Sequence, residues 1–328
     1  MTLPKTSNEP GRVVIVTGCD HGLGADIVHE LHQNPGLIIY ATCLTQDAVQ
    51  TYNAQDSTRL RAVLTDVTKQ SDVDRLQAQI EEECPQGVYA LLNNAGIIGG
   101  NYIDLTEIET YQKSIEVNYL GVIRITKALL PSLRRHAQAR ALDKLNRKTP
   151  LQPRARVVGI SSIAGQYCAP GYSSYSASKH ATEAFLDTLR IELAPWEIDV
   201  CMLEPFSIQT PMMAKGVDQF NAIWQGASPN TRRMYGDAFR QSNVDQAEKT
   251  FREAMPTILA VQTIVRTIQD PKGARKDRIV VASRLNRVIF WFLTMIPAWL
   301  LDKLTWMAMR KNLAWASDPH LFEDAKTR

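Results

Sequence analysis

Val13-Val14-Ile15-Val16-Thr17-Gly18-Cys19-Asp20-His21-Gly22-Leu23-Gly24 runs from an apolar stretch through three glycines into a helical pattern. The uninterrupted β-branched run predicts a strand over Val13–Thr17 buried on both faces. Ala25, Ile27, Val28 and Leu31 then repeat at helical spacing over Gly24–His32. Glycine lets the backbone turn tightly and approach a phosphate closely. The helix start offers unpaired N–H groups and a partial positive charge to an anion. A plain strand-to-helix turn is the competing explanation, but three glycines at the first strand favour a dinucleotide site made by Thr17, Gly18, Asp20, His21, Gly22, Leu23 and Gly24.

The same alternation continues outward. Leu37–Thr42, Arg61–Leu64, Tyr89–Leu92, Arg156–Ile160, Asp199–Leu203 and Arg278–Ala282 read as further strands. Asp72–Glu83, Glu107–Arg135, Ser176–Ala194 and Pro256–Gln269 read as helices. Near-continuously apolar strands alternating with helices predict an α/β protein with a doubly wound parallel sheet, a Rossmann fold with helices on both faces. Three segments interrupt the pattern. Arg134–Arg156 carries eight Lys/Arg against the single acid Asp143, with prolines at 150 and 153, and reads as a basic surface excursion. Thr210–Glu253 is a long connection. Val288–Leu301 is an apolar run broken by Thr294 and Pro297. We therefore expect one domain over residues 1–285, with 211–256 as its long connection, and an apolar C-terminal extension over 286–328.

Composition narrows the function class. The 328 residues are 45% hydrophobic and 22% charged, and the formal net charge of +3 gives no footing for nucleic acid. Cys19, Cys43, Cys84, Cys168 and Cys201 are scattered and odd in number, which predicts reduced core thiols rather than a disulfide framework. No histidine or cysteine spacing suggests a metal. The first ten residues contain no apolar core segment, so neither a signal peptide nor an N-terminal anchor is expected, and the cytoplasmic side of the cell is.

Asn118, Ser162, Tyr175 and Lys179 occur in this order downstream of the glycine turn. One Tyr-x-x-x-Lys in a chain with ten tyrosines carries little weight; the ordered set carries much more. With the G-x-x-x-G-x-G spacing and Asn93-Asn94-Ala95-Gly96 after the fourth strand, the chain resembles the short-chain dehydrogenase/reductase superfamily from about residue 12 to 210. The resemblance implies an NAD(P)-dependent enzyme. In it Asp66 and Val67 touch the adenine, Asn94, Ala95 and Gly96 line the adenosine side, and Pro205, Ile208 and Thr210 hold the nicotinamide carboxamide. It also implies that Asn118 anchors a water linking Lys179 to solvent, and that the protein is a homo-oligomer. One departure is Pro205-Phe206, where the family usually has Pro-Gly. The second strand ends at Thr42 with neither acid nor base, and Asp20 should repel a 2′-phosphate, so NAD is expected over NADP.

Tyr175 and Lys179 lie one helical turn apart and share a face. A phenol near pKa 10 is a poor base at neutral pH, and an adjacent ammonium is expected to lower it, making Tyr175 the acid/base at the alcohol oxygen. Ser162 ends the fifth strand, placed to hydrogen-bond that oxygen. Thr17-Gly18-Cys19-Asp20, Ala41–Thr45 and Ala227-Ser228-Pro229 resemble the branch of retinol, 17β-hydroxysteroid type 6 and 3-hydroxybutyrate dehydrogenases. This implies a small apolar alcohol or ketone of steroid or retinoid type. A small hydroxy acid, with Lys215, Arg232 or Arg233 at its carboxylate, is the enzymatic alternative; a non-catalytic dinucleotide sensor is the alternative of another class. Val288–Leu301 is too short for a comfortable span. It reads either as a buried lid helix or as an interfacial segment using Trp291, Phe292, Trp299, Trp306 and Trp315 with Lys303, Arg310 and Lys311. The second reading puts residues 286–328 on an intracellular membrane surface.

Overall fold

In the computed structural model, residues 11–55, 58–148, 150–270 and 276–310 are described. β1 (Arg12–Val16) enters the turn to α1 (Gly22–His32), followed by β2 (Leu37–Cys43), α2 (Gln46–Asn53), β3 (Leu60–Leu64), α3 (Gln70–Glu83) and β4 (Ala90–Asn93). Then come α4 (Ile108–Ile115), α5 (Gly121–Leu145), β5 (Arg156–Ile160), α6 (Ser173–Leu193) and β6 (Asp199–Pro205). The seven-stranded sheet, completed by β7 (Arg278–Val281), is parallel throughout in the order β3-β2-β1-β4-β5-β6-β7. Strand order reverses between β1 and β4, so a crevice opens at the carboxyl ends of these strands, where the glycine turn lies.

Alternation along each strand sorts the core into two layers. Val14, Val16, Ile39 and Leu92 pack under α1 and under α10 (Thr257–Gln269), meeting Ile27, Leu31, Val261 and Ile264. Ile15, Tyr40, Leu91 and Val157 face α3, α5 and α6, meeting Leu76, Ile80, Leu129 and Leu186. These helices contribute apolar faces of i, i+3 and i+4 spacing, and burial of such faces rather than propensity holds them.

Several expectations change. The basic stretch after Arg134 is not a surface loop from its start. α5 continues through it to Leu145, and only the described residues of 146–155 are irregular. Its charges are partly matched, Arg140 pairing with Glu197, Lys148 with Asp143 at 3.0 Å and Arg154 with Asp199 at 3.3 Å. Arg156, the last cation of that run, is fully buried; it donates to the carbonyls of Thr267, Ile268 and Asp270 at the end of α10 and lies over the Tyr89 ring. The long connection is helical, forming α7 (Pro211–Ala214), α8 (Gly216–Gly226) and α9 (Pro229–Glu253), the last kinked at Gly236. Cys168 is exposed, unlike the four buried thiols.

The C-terminal apolar run is α11 (Arg284–Met295) and α12 (Ala298–Arg310), bent by 115° at the Ile296-Pro297 break. Trp291, Phe292, Trp299, Trp306 and Met307 are exposed while Phe290 is buried. The pair is therefore not a buried lid. Among the described residues no single helix is long and apolar enough to cross a membrane. Lys311 and Trp315 lie outside the described residues, as do the first ten.

Candidate active site

The glycine turn is shaped by contacts that a side chain would break. Gly18 and Gly22 hold φ of +71° and +63°, a region that favours glycine. A Cβ on Gly18 would sit 2.8 Å from the Ala95 Cα, so the turn presses on the loop after β4. Asn94 fixes that contact: its side-chain amide donates to the Thr17 carbonyl at 2.8 Å and the Gly18 carbonyl at 3.0 Å. The Thr17 hydroxyl in turn accepts the amides of Asn94 and Ala95, both at 3.0 Å. His21 gives the start of α1 no side-chain cap, which leaves the first amides of that helix for an anion. Pro211 closes from the other side, its Cδ 3.4 Å from where a Gly22 Cβ would stand. This cradle fits a pyrophosphate.

Asp20 reaches the end of β2. Its carboxylate accepts the Leu44 amide at 2.8 Å and both the amide and hydroxyl of Thr45 at 2.8 Å. The acid missing from the end of the second strand is thus supplied by the glycine turn. Thr42 is fully buried and meets the turn only through its carbonyl, which accepts Cys19 N–H at 2.9 Å. Asp66 begins the turn after β3, where burial raises its carboxyl but Thr68 hydrogen bonds and Lys69 outweigh this and hold it low. Val67 packs into the core against Gly121. Opposite the cradle, Ile208 makes a parallel bridge to Met255, and Thr210 caps α7. Pro205-Phe206 leads into this pinned stretch without glycine, Phe206 N–H donating to the Val281 carbonyl at 3.2 Å.

The other four residues converge beside it. Ser162 follows β5 and accepts the Ala164 amide at 3.1 Å, leaving its hydrogen to donate. The Tyr175 phenol lies beside it: burial pushes that phenol up to about 12, while the neighbouring Ser162 hydroxyl acts the other way. Lys179 lies one turn on, its Nζ 5.7 Å from the Tyr175 ring centre and donating to the Ile160 carbonyl at 2.8 Å. Burial lowers its ammonium to about 8, against the pull of Glu183. The sequence argument had the ammonium lowering the phenol; in the protein alone, desolvation wins. Asn118 occupies a π-helical turn, Glu116–Leu120, between α4 and α5. Its side chain exchanges hydrogen bonds with both backbone groups of Ile97 and donates to Ser178 at 2.9 Å, tying the loop after β4 to α6. Gly96 lies between them: a Cβ there would stand 3.3 Å from Asn118 Oδ1 and 3.7 Å from Lys179 Nζ.

The sequence profile of the short chain dehydrogenase family matches residues 12–220. The chain belongs to the short-chain dehydrogenase family. It is 32% identical over 249 residues to bovine mitochondrial D-beta-hydroxybutyrate dehydrogenase, covering 72% of this chain and 67% of that one. Human retinol dehydrogenase 16 is 34% identical over 243 residues (73% and 70% covered), and bovine 17-beta-hydroxysteroid dehydrogenase type 6 is 33% identical over 233 residues (70% and 67%). A solved short-chain dehydrogenase from Streptomyces avermitilis superposes with a TM-score of 0.67 at 24% identity, over 93% of this chain and 98% of its own. The protein is a short-chain dehydrogenase acting on CH–OH groups with NAD(P).

Sequence reasoning did not single out Glu183, Glu204 or Arg278, which lie just behind Ser162. An acid inside the apolar strand Cys201–Pro205 was the available signal.

Proposed function

We propose that the protein interconverts a bulky apolar alcohol, of steroid or retinoid type, and its carbonyl, using NAD. Tyr175 passes the proton to and from the alcohol oxygen. Ser162 donates its one hydroxyl hydrogen to that same oxygen. A bound nicotinamide supplies the hydride acceptor and, when oxidised, a positive charge that favours the phenolate. Lys179 adds a charge of the same sign within α6. Asn118 keeps the loop after β4 against Lys179. The Asp20 carboxylate, at the end of β2, opposes a 2′-phosphate and supports NAD.

The observation that carries the substrate class is the aromatic cover. Phe220 and Trp224 of α8 and Tyr235 and Phe239 of α9 pack on Tyr102 and Leu105 from the loop after β4. Tyr102 and Phe239 meet edge to face at 4.8 Å, and Tyr235 donates to Asp104 at 3.0 Å. Tyr102 also borders Gly171, four residues before Tyr175. Through Tyr102 this cluster, largely contributed by residues 211–256, reaches the loop before α6 and supports an apolar substrate. Lys215, Arg232 and Arg233, needed for a hydroxy acid, are exposed. Initial rates of NAD reduction with all-trans-retinol, a hydroxysteroid and 3-hydroxybutyrate test this reading. Turnover of 3-hydroxybutyrate alone overturns it, and turnover of none supports the dinucleotide sensor.

The same reading extends to residues 286–328 as an interfacial segment on an anionic membrane surface. The exposed Trp291, Phe292, Trp299 and Trp306 supply apolar contact, and Arg287, Lys303 and Arg310 supply charge, with Asp302 the one acid among the described residues of this segment. Flotation with phosphatidylserine-containing vesicles should fail when residues 286–328 are deleted. Unchanged flotation removes this part, and light scattering tests the homo-oligomer implied by the family.

A further inference from the structure

Ser162 sits in a short segment, residues 161–166, whose two ends are held by different carboxylates. The Ser161 hydroxyl donates to Glu183 Oε1 at 2.7 Å. The Gln166 side-chain amide donates to Glu204 Oε1 at 2.6 Å. Glu183 stands on α6 one turn beyond Lys179 and two beyond Tyr175, and Glu204 is the penultimate residue of β6. A single cation joins the two acids. Arg278, the first residue of β7, donates through Nη1 to Glu183 Oε2 and to Glu204 Oε1, the latter at 2.7 Å. Its Nη2 donates to Asp187 Oδ2 at 2.6 Å.

Both inner acids are almost wholly removed from water, Glu183 at 4% and Glu204 at 1% exposure. Burying charge costs several kcal/mol per ion, and an apolar pair would join α6 to the sheet without that penalty. What the charged arrangement adds is direction, because hydrogen bonds to fixed carboxylate oxygens set where the Ser161–Gln166 backbone runs. The segment lies so close to Glu183 that a Cβ on Gly165 would stand 2.1 Å from Oε1 and 2.8 Å from Ser161 Oγ. Tyr175 is carried by the same helix as Glu183, so the clamp references Ser162 directly to the residue it must meet.

We propose that Arg278, Glu183 and Glu204 form a positioning clamp that holds the Ser162 hydroxyl in register with Tyr175. None of the three touches the reacting atoms; they act through Ser161 and Gln166. The proposal rests on the reading of Ser162 given above, so Ser162→Ala is the benchmark. If that variant keeps turnover, the reading falls and the clamp with it. If it loses turnover, the clamp is decided by Glu183→Gln, Ser161→Ala and Asp187→Asn, assayed with NAD and the fastest of retinol, hydroxysteroid and 3-hydroxybutyrate.

A hydroxyl displaced by a fraction of an ångström lowers kcat by about tenfold. Glu183→Gln and Ser161→Ala should show that fall, with KM and the cofactor Kd by NADH fluorescence within about twofold of the parent. Asp187→Asn removes a partner of Arg278 that does not hold the segment, and should keep kcat within about twofold. Ser161→Ala deletes one hydroxyl and no charge, so it decides the matter if Glu183→Gln does not fold. The proposal is overturned by unchanged kcat in Ser161→Ala, by an equal fall in Asp187→Asn, or by a parallel loss of cofactor affinity.

Discussion

Replacing Gly24 by alanine tests the cradle through its tightest contact. A Cβ at this position would lie 2.2 Å from the Gly18 carbonyl oxygen, 3.0 Å from its carbon and 2.6 Å from Asn94 Nδ2. The nearest atom is backbone, so α1 must move away from the turn by about 1 Å, an overpacking strain of about 1–3 kcal/mol. That movement also stretches the two Asn94 hydrogen bonds to Thr17 and Gly18, at about 1 kcal/mol each. Alanine recovers about 1 kcal/mol of helix propensity, leaving a net loss of about 2–4 kcal/mol. For a domain of this size Tm falls by about 2–4 °C per kcal/mol, hence by about 5–15 °C. Cofactor binding suffers with it, because the displaced amides at the start of α1 are those offered to the anion. We expect the NADH Kd from fluorescence titration to rise by at least about tenfold. Gly226→Ala, where a Cβ meets nothing within 4 Å, serves as the control. A Gly24→Ala protein with parental Tm and parental Kd would refute the reasoning.

Two further outcomes follow from buried charge. The Lys179 ammonium falls to about 8 in the fold from an ordinary 10.5, so the unfolded chain binds the proton better and stability rises with pH between these values. Tyr175, pushed up to about 12, works in the opposite sense only above its ordinary value of 10. Urea unfolding should therefore show the parent gaining stability relative to Lys179→Met from pH 8 to pH 10; parallel profiles contradict the burial argument. Asp20→Asn keeps a hydrogen-bond acceptor for Leu44 and Thr45 but removes the charge. Initial rates should shift the kcat/KM ratio of NAD to NADP toward NADP by on the order of tenfold, and an unchanged ratio removes Asp20 from cofactor choice.

The parts of the fold legible in the sequence were those with local periodicity. All seven strands and the glycine turn follow from apolar runs and punctuation, and the Tyr175–Lys179 face follows from helical spacing. The rest depends on partners distant in the chain. The helix through Arg134–Leu145 was hidden because its cations read as a solvated loop, whereas Arg140 and Lys144 find Glu197 more than fifty residues away. Arg156 looked like one more surface charge until the end of α10 came to lie over it. α2 is short and carries one buried apolar residue, Val49, too little for a periodic signal. At the site, the pair chemistry was readable and the direction of the Tyr175 shift was not, because desolvation is set by tertiary packing. Asp20 was read as a repulsive charge in the turn; that it fills the end of β2 appears only when the two strands are side by side.

Tyr175→Phe tests the central claim most directly, since it removes one oxygen and keeps the ring. The phenylalanine protein should bind NADH with a Kd within about twofold of the parent, while kcat for the alcohol falls by about a thousandfold or more. Retention of turnover to within about tenfold of the parent, with the cofactor bound as before, would contradict the assignment of Tyr175 as the proton-transferring group.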